Sequence, residues 1–258
     1  MKLTVLGCGG APGVPSIEWG WGHCDPRNPR NRRRRPSVLV ESEHAKILVD
    51  TSPDLRDQLI DTNVRSLSGV IFTHAHADHV HGIDDLRSIN RAMNDAIPAY
   101  GDAVTLGEIK KRFGYVFEPL AYDAKVYYKP TLVENVVEDG KPFSIGDVDI
   151  IPFEQDHGYC TSLGLRFGSI AYTTDLVEMS EAAFDILASV DTWIVDVFTY
   201  KNHPTHAHLD KVLGWVERIK PRRTILTHMS ARMDYDELVA QLPDGIEPAY
   251  DGMVLNAE

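Results

Sequence analysis

The stretch Thr73-His74-Ala75-His76-Ala77-Asp78-His79-Val80-His81-Gly82 follows directly on the apolar run Ser68-Gly69-Val70-Ile71-Phe72. A short buried strand therefore ends in a loop carrying four histidines and an aspartate. Neutral imidazole and carboxylate are the donors that suit divalent zinc, manganese or iron. His74 and His76 stand two apart in an extended loop, so both rings can reach one point. Asp78 and His79 follow where the loop turns into a helix, and can aim at a second point close by. One loop can thus seed two adjacent metal positions, a spacing that an ordinary polar loop rarely produces.

Two neighbouring metals need further ligands from distant segments. Three candidates each follow an apolar strand: His157 after Ile150-Ile151-Pro152-Phe153, Asp175 after Ile170-Ala171-Tyr172-Thr173, and His228 after Ile225-Leu226-Thr227. Strand ends along one sheet edge are where a rigid scaffold presents site residues. Taken singly, each would more often be a capped turn or a satisfied polar residue. Joined to the histidine loop, they read as one ligand set.

The remaining chain sets the frame. At 258 residues, 43% hydrophobic and 25% charged, it is read as one soluble globular domain spanning 1–258, with mixed sheets and helices outside. No stretch of about 18 apolar residues predicts a membrane span. The opening MKLTVLGCGG is too briefly apolar for a secretory signal. Cysteines at 8, 24 and 160 are odd in number and scattered, which disfavours a disulfide framework and fits a reducing, cytoplasmic setting. A net charge of −12 disfavours general nucleic-acid affinity. Ser52-Pro53-Asp54 predicts a helix start, and further helices are expected near 82–94, over 208–219 and after Asp234. Residues 98–140 are the least legible, and neither clean βαβ alternation nor an internal repeat is visible.

HAHADH, then His157, then TTDL at 173–176 and LTHMS at 226–230 run in order behind the opening LGCGGAPGVP. In this the chain resembles the metallo-β-lactamase superfamily across nearly its whole length. The resemblance implies an α+β fold, a four-layer αββα sandwich with two mixed β-sheets and outer helices, and metals at one edge between the sheets. It implies two divalent ions, zinc or manganese. His74, His76 and His157 would hold one, Asp78, His79 and His228 the other, and Asp175 would bridge them. Asp50, in ILVDTSP, matches the aspartate under the metal loop, where it would orient a ligand.

Two metals about 3.5–4 Å apart can deprotonate a bridging water, which suits phosphodiesters, thioesters or amides alike. The segment NHPTHAHLDKV, 202–212, narrows the choice. An alcohol leaving group needs a proton, which a histidine can supply. The placement of His206 and His208 resembles that in the phosphodiesterase branch, which includes tRNA 3′-processing nucleases and the phosphodiesterase of the carbon–phosphorus lyase pathway. His208, directly before the helix, is the favoured general acid and His206 the second choice, with Asp78 completing the catalytic set. Some relatives carry a cysteine cluster and a late histidine for a structural zinc. Here only His23 and Cys24 stand in that excursion and residue 231 is alanine, so no structural zinc is expected.

The expected substrate is a small cyclic phosphate or nucleotide-like diester; no membrane partner is expected, and a homodimer is left open. A tRNA 3′-processing type of nuclease is the weaker reading, for want of a Gly-rich basic arm. The alternative of another class is a non-catalytic metal-containing protein resembling the pyrroloquinoline-quinone biosynthesis member. Arg27, Arg30 and Arg32 to Arg35 read as a solvated surface run. Cys160 reads as a small buried residue and His44 and His203 as surface residues, while Lys110 to Arg112, Phe113 and Tyr115 fit either a pocket wall or ordinary helix surface and core.

Overall fold

The computed structural model describes residues 1–257, and its strands gather into two sheets. The first contains β1 (Lys2–Gly7), β2 (Ser37–Glu41), β3 (Lys46–Val49), β4 (Gly69–Ile71), β5 (Ile97–Gly101) and β6 (Leu132–Val136). The second contains β7 (Phe143–Ile145), β8 (Val148–Asp156), β9 (Thr161–Phe167), β10 (Ile170–Thr173), β11 (Thr192–Asp196), β12 (Arg223–Thr227) and β13 (Ile246–Pro248). β14 (Val254–Asn256) returns to pair antiparallel with β1, so each sheet has seven strands among the described residues. The helices are α1 (Leu55–Asp61), α2 (Ala77–Val80), α3 (Leu86–Met93), α4 (Ala103–Phe113), α5 (Glu181–Leu187), α6 (Leu209–Ile219) and α7 (Tyr235–Gln241). None is long and apolar enough to cross a membrane.

Side-chain alternation sorts these elements into layers, because successive strand residues face opposite sides of a sheet. Val38, Val40, Ile47, Val49 and Ile71 meet Phe153, Leu165, Phe167 and Tyr172 in the core between the sheets. Leu39, Leu48, Val70 and Phe72, one position out of phase, pack instead with Leu55 and Leu59 of α1, Ile89 of α3 and Ile109 of α4. On the second sheet, Leu187, Val212 and Leu238 bring α5, α6 and α7 into the inter-sheet cluster. Trp193, Ile194 and Val195 are all fully buried, as expected of a strand covered on both faces. This is the four-layer αββα arrangement that the resemblance implies.

Two expectations are corrected. β3 to β6 run parallel and are joined by α1, by α2 with α3, and by α4. β10 to β13 run parallel and are joined by α5, α6 and α7. The chain therefore holds two β-α-β-α-β-α-β runs where the linear reading found no clean alternation. Several of the connecting helices are too short to display a 3.6-residue period, and residues 117–131 form neither helix nor strand. The helix expected near 82–94 is a 3₁₀ turn at Ile83–Asp85 running into α3, with α2 broken off as a separate turn before it. Gly82 sits at that break, where a Cβ would lie 2.0 Å from the Ser52 carbonyl oxygen. Ser52 itself stands before α1, its hydroxyl accepting from the Asp54 amide at 3.1 Å.

Candidate metal centre

Six strands of the two sheets end at the site. β3 delivers Asp50, β4 the segment from Thr73 to His79, β8 His157, β10 Asp175, β11 Asp196 and β12 His228. Asp50, Asp175 and His228 have φ of 63°, 53° and 57°, a left-handed conformation uncommon for residues other than glycine. Such strain persists only where the surroundings impose it, and it collects at functional sites. The glycine-rich opening supplies part of that constraint. The Met229 amide donates to the Cys8 carbonyl at 2.9 Å and the Gly10 amide to the Met229 carbonyl at 3.2 Å. A Cβ on Gly10 would meet the Phe198 ring at 2.7 Å, so only glycine lets this segment lie beside the His228 turn.

The donor atoms converge in two groups. His74, His76, His157 and Asp175 bring one ligand atom each within 4.8 Å of one another, as do Asp78, His79, Asp175 and His228. Asp175 belongs to both. Its Oδ2 lies 3.8 Å from His74 Nε2 and 3.4 Å from His157 Nε2. Its Oδ1 lies 3.1 Å from His79 Nε2 and 3.2 Å from His228 Nε2. Asp78 Oδ2 closes the second group at 3.3 Å from His79 Nε2 and 3.4 Å from His228 Nε2. The Nε2 atoms of His74 and His79 are buried without a hydrogen-bond partner. Buried lone pairs that aim at a common point beside carboxylates are a donor set that fits divalent cations.

The outward nitrogens of these rings are anchored, which fixes orientation and tautomer. His79 Nδ1 donates to Asp50 Oδ2 at 2.7 Å, while Asp50 also accepts from the Thr73 amide at 2.8 Å and the Thr73 hydroxyl at 2.7 Å. His157 Nδ1 donates to the Thr205 carbonyl at 2.7 Å. His76 Nε2 lies 3.8 Å from Cys160 Sγ, and His74 Nδ1 lies 3.1 Å from the Thr73 hydroxyl.

Charge follows position. Burial, and then the neighbouring His79, pushes His74 well down, so its imidazole is neutral with a free lone pair. Burial likewise lowers His76 and His157. At His79 burial is outweighed by Asp175, Asp78 and Asp50, which hold it well up. At His228 burial is outweighed chiefly by Asp175 and the Asp78 hydrogen bond, and the ring rises to about 9. Burial at Asp175 and Asp78 is overcome by the surrounding histidines, which keep both carboxyls well below their usual range.

The segment 202–212 resolves into two histidines with different surroundings. His206 stacks on His228 at 4.8 Å between ring centroids, lies 5.0 Å from the His157 ring, and donates from Nδ1 to Asp196 Oδ2 at 2.8 Å. His208 caps α6 with extended backbone and makes no side-chain capping bond. His206 is thus the member of the pair that packs against the donor cluster.

Other readings need correction. His203, expected as a surface residue, packs 5.1 Å from both Phe198 and His206. Cys160 is exposed, not buried, because the turn that returns the His157 amide to the Cys160 carbonyl at 2.9 Å swings it out beside His76. Of the two readings of Lys110 to Arg112, the pocket wall holds for Arg112, which lines a cavity with His74 and His76. Asp196 was missed altogether, although it ends an apolar strand in TWIVD just as Asp50 does in KILVD.

The arginine run divides: Arg27, Arg30 and Arg32 are exposed as expected, while Arg33, Arg34 and Arg35 are structural. Arg33 is 2% exposed, donating to the Met233 carbonyl at 2.7 Å and the Ser230 carbonyl at 3.2 Å. Arg34 pairs with Asp61 and Arg35 with Asp54. Arg30 lies 4.8 Å over each of the Tyr235 and Tyr250 rings. A basic run in an acidic chain finds partners wherever its loop crosses the body, and this one crosses α1 and α7.

Comparison with known proteins then places the chain. Residues 45–229 match the model of the beta-lactamase superfamily domain. The chain belongs to that superfamily. Within it, the chain is similar to a solved structure described as a new diphosphatase from the PhnP family, at 33% identity and a TM-score of 0.90, covering 100% of this chain and 98% of the other. An octanoyltransferase of Porphyromonas gingivalis is 30% identical over 98% of this chain and 51% of its own length. The chain spans about half of that protein, and the activity in its name is that of the longer protein. A ribonuclease Z of Pyrobaculum islandicum is 24% identical over 96% of this chain and 93% of its own. The superfamily match contains every donor of the two groups, from His74 to His228.

Proposed function

We propose that this chain is a metal-dependent phosphodiesterase with a binuclear centre. The observation that carries the reading is the division of Asp175, one carboxylate oxygen facing His74 and His157 and the other facing His79 and His228. His74, His76, His157 and Asp175 would hold one ion, and Asp78, His79, His228 and Asp175 the other, zinc or manganese. Bound there, the ions supply Lewis acidity and an activated water for in-line displacement at phosphorus.

The chain's own contribution to the leaving group falls to His206. Asp196 accepts from its Nδ1 at 2.8 Å, which fixes the ring and leaves Nε2 as the nitrogen that would hand a proton to the departing oxygen. The general acid is therefore assigned to His206, with His208 as the N-terminal residue of α6 behind it. Likeness to a diphosphatase of the PhnP family supports phosphoryl chemistry, since diesters and diphosphates both lose an oxygen leaving group to water. The ribonuclease Z relatives favour a second reading, RNA cleavage. The net charge of −12 and the internal pairing of the arginines favour a small substrate over a nucleic acid.

The test joins metal analysis of purified protein with hydrolysis of bis-p-nitrophenyl phosphate before and after chelation, with manganese or zinc returned. Two metals per chain and metal-restored diesterase activity are expected. Two metals with no turnover of any phosphoric ester would overturn the reading in favour of a non-catalytic metal protein. Cleavage of a tRNA precursor, with none of the small diester, would favour the nuclease.

A further inference from the structure

Two cavities open beside the metal centre. One, about 640 Å³, is lined by His74 and His76 on the side of the first donor group. The other, about 800 Å³, is lined by none of the donors but includes His203 and Phe198 in its wall. Their rings lie 5.1 and 4.8 Å from that of His206, the residue assigned to protonate the leaving oxygen. A leaving group protonated on that side departs into the second cavity, whose volume suits a small molecule.

The wall of that cavity has a distinct chemistry. Trp19 presents its indole with 61% exposure, and the Arg232 guanidinium stands over it at 6.0 Å. Lys201 adds a second cation. Among the described residues neither Arg232 nor Lys201 forms an ion pair, although the chain carries a net charge of −12. Glu237 lies on the same wall, and the Tyr200 hydroxyl is buried there without a hydrogen-bond partner. An exposed indole offers a face for stacking a planar base. Unpaired cations suit a phosphate, for which guanidinium has the matching fork. A carboxylate suits the hydroxyls of a sugar.

We propose that this cavity binds the leaving arm of the substrate and that the arm is a nucleoside phosphate. The base stacks on Trp19, the phosphate lies between Arg232 and Lys201, and the ribose hydroxyls meet Glu237. The inference rests on the phosphodiesterase reading and adds to it a substrate class.

The test is calorimetric titration of the metal-loaded protein with adenosine 5′-monophosphate, ribose 5-phosphate, adenosine and inorganic phosphate. Adenosine monophosphate should bind at least tenfold tighter than inorganic phosphate. Trp19→Ala should weaken it about tenfold, the scale of a lost base stack, and Trp19→Phe should restore most of that. Arg232→Ala should weaken the nucleotide and ribose 5-phosphate together while leaving adenosine unmoved. Arg112→Ala, in the other cavity, should leave nucleotide affinity alone. Equal affinity for the nucleotide and inorganic phosphate, or unchanged nucleotide binding in both Trp19→Ala and Arg232→Ala, overturns the proposal. Ribose 5-phosphate matching the nucleotide overturns the base assignment. Failure of wild-type protein to hydrolyse bis-p-nitrophenyl phosphate is a separate result and counts against the diesterase reading instead.

Discussion

Asp175 and His228 carry opposite charges at neutral pH, and that pairing has a measurable consequence. His228 is raised to about 9 and His79 well up, so both rings hold a proton at pH 7 before a cation arrives. A divalent ion must displace those protons, because only neutral imidazole donates a lone pair. Metal loading at pH 7 should therefore release protons, and affinity should climb with pH through about 9. Titration in buffers of different ionisation enthalpy reads the release; zero protons at pH 7 would contradict the assigned charges. A second prediction concerns the leaving group. His206→Ala should keep both metals yet slow esters with alkoxide leaving groups about a hundredfold or more beyond its effect on nitrophenyl esters, the usual scale of general-acid catalysis. His208→Ala should show no such split. A split in His208→Ala alone would return the general acid to that position.

At the scale of elements, the donors were legible because each closes an apolar strand, and an imidazole or carboxylate at a buried strand end demands a reason. Asp50 came from the family resemblance, and strand-end logic would have reached both it and Asp196 in TWIVD. It could not reach His203 or Cys160, whose neighbours are set by how two loops fold over the centre. Nor could it separate His206 from His208, since which ring turns inward depends on where α6 begins. Arg33 was misread for a related reason: sequence shows its charge but not the carbonyls waiting at Ser230 and Met233. Arg33→Met should cost about 3 kcal/mol in urea denaturation, because it strands those buried acceptors. A loss below about 0.5 kcal/mol would mean the loop relaxes to water.

For the whole molecule, the chain ends are tied across the fold by one buried acid. Asp251 accepts from the Arg34 amide at 2.8 Å, the Cys8 amide at 3.1 Å and the Cys8 thiol at 3.4 Å. Burial outweighs these bonds and lifts its carboxyl from 3.8 to about 6. The folded state then binds the proton more tightly than the unfolded chain, so this group destabilises the fold as pH rises from about 4 to about 6, by roughly 3 kcal/mol across that window. Asp251→Asn should be less stable in absolute terms, having lost an acceptor, but should lack this slope. Parallel pH profiles for the two proteins would count against the lifted carboxyl.

The division of the donors between the two β-α runs has a further consequence. His74, His76, Asp78 and His79 come from the first sheet's segment, while His157, Asp175 and His228 come from the second. Neither segment alone holds a full set for either ion. Metal content would thus gauge whether the two halves have docked, and an ion bound in either group would act as a rivet through the seam. A chain nicked in the exposed turn at Gly140 would capture metal only as its pieces reassembled, which makes this centre a built-in sensor of its own assembly.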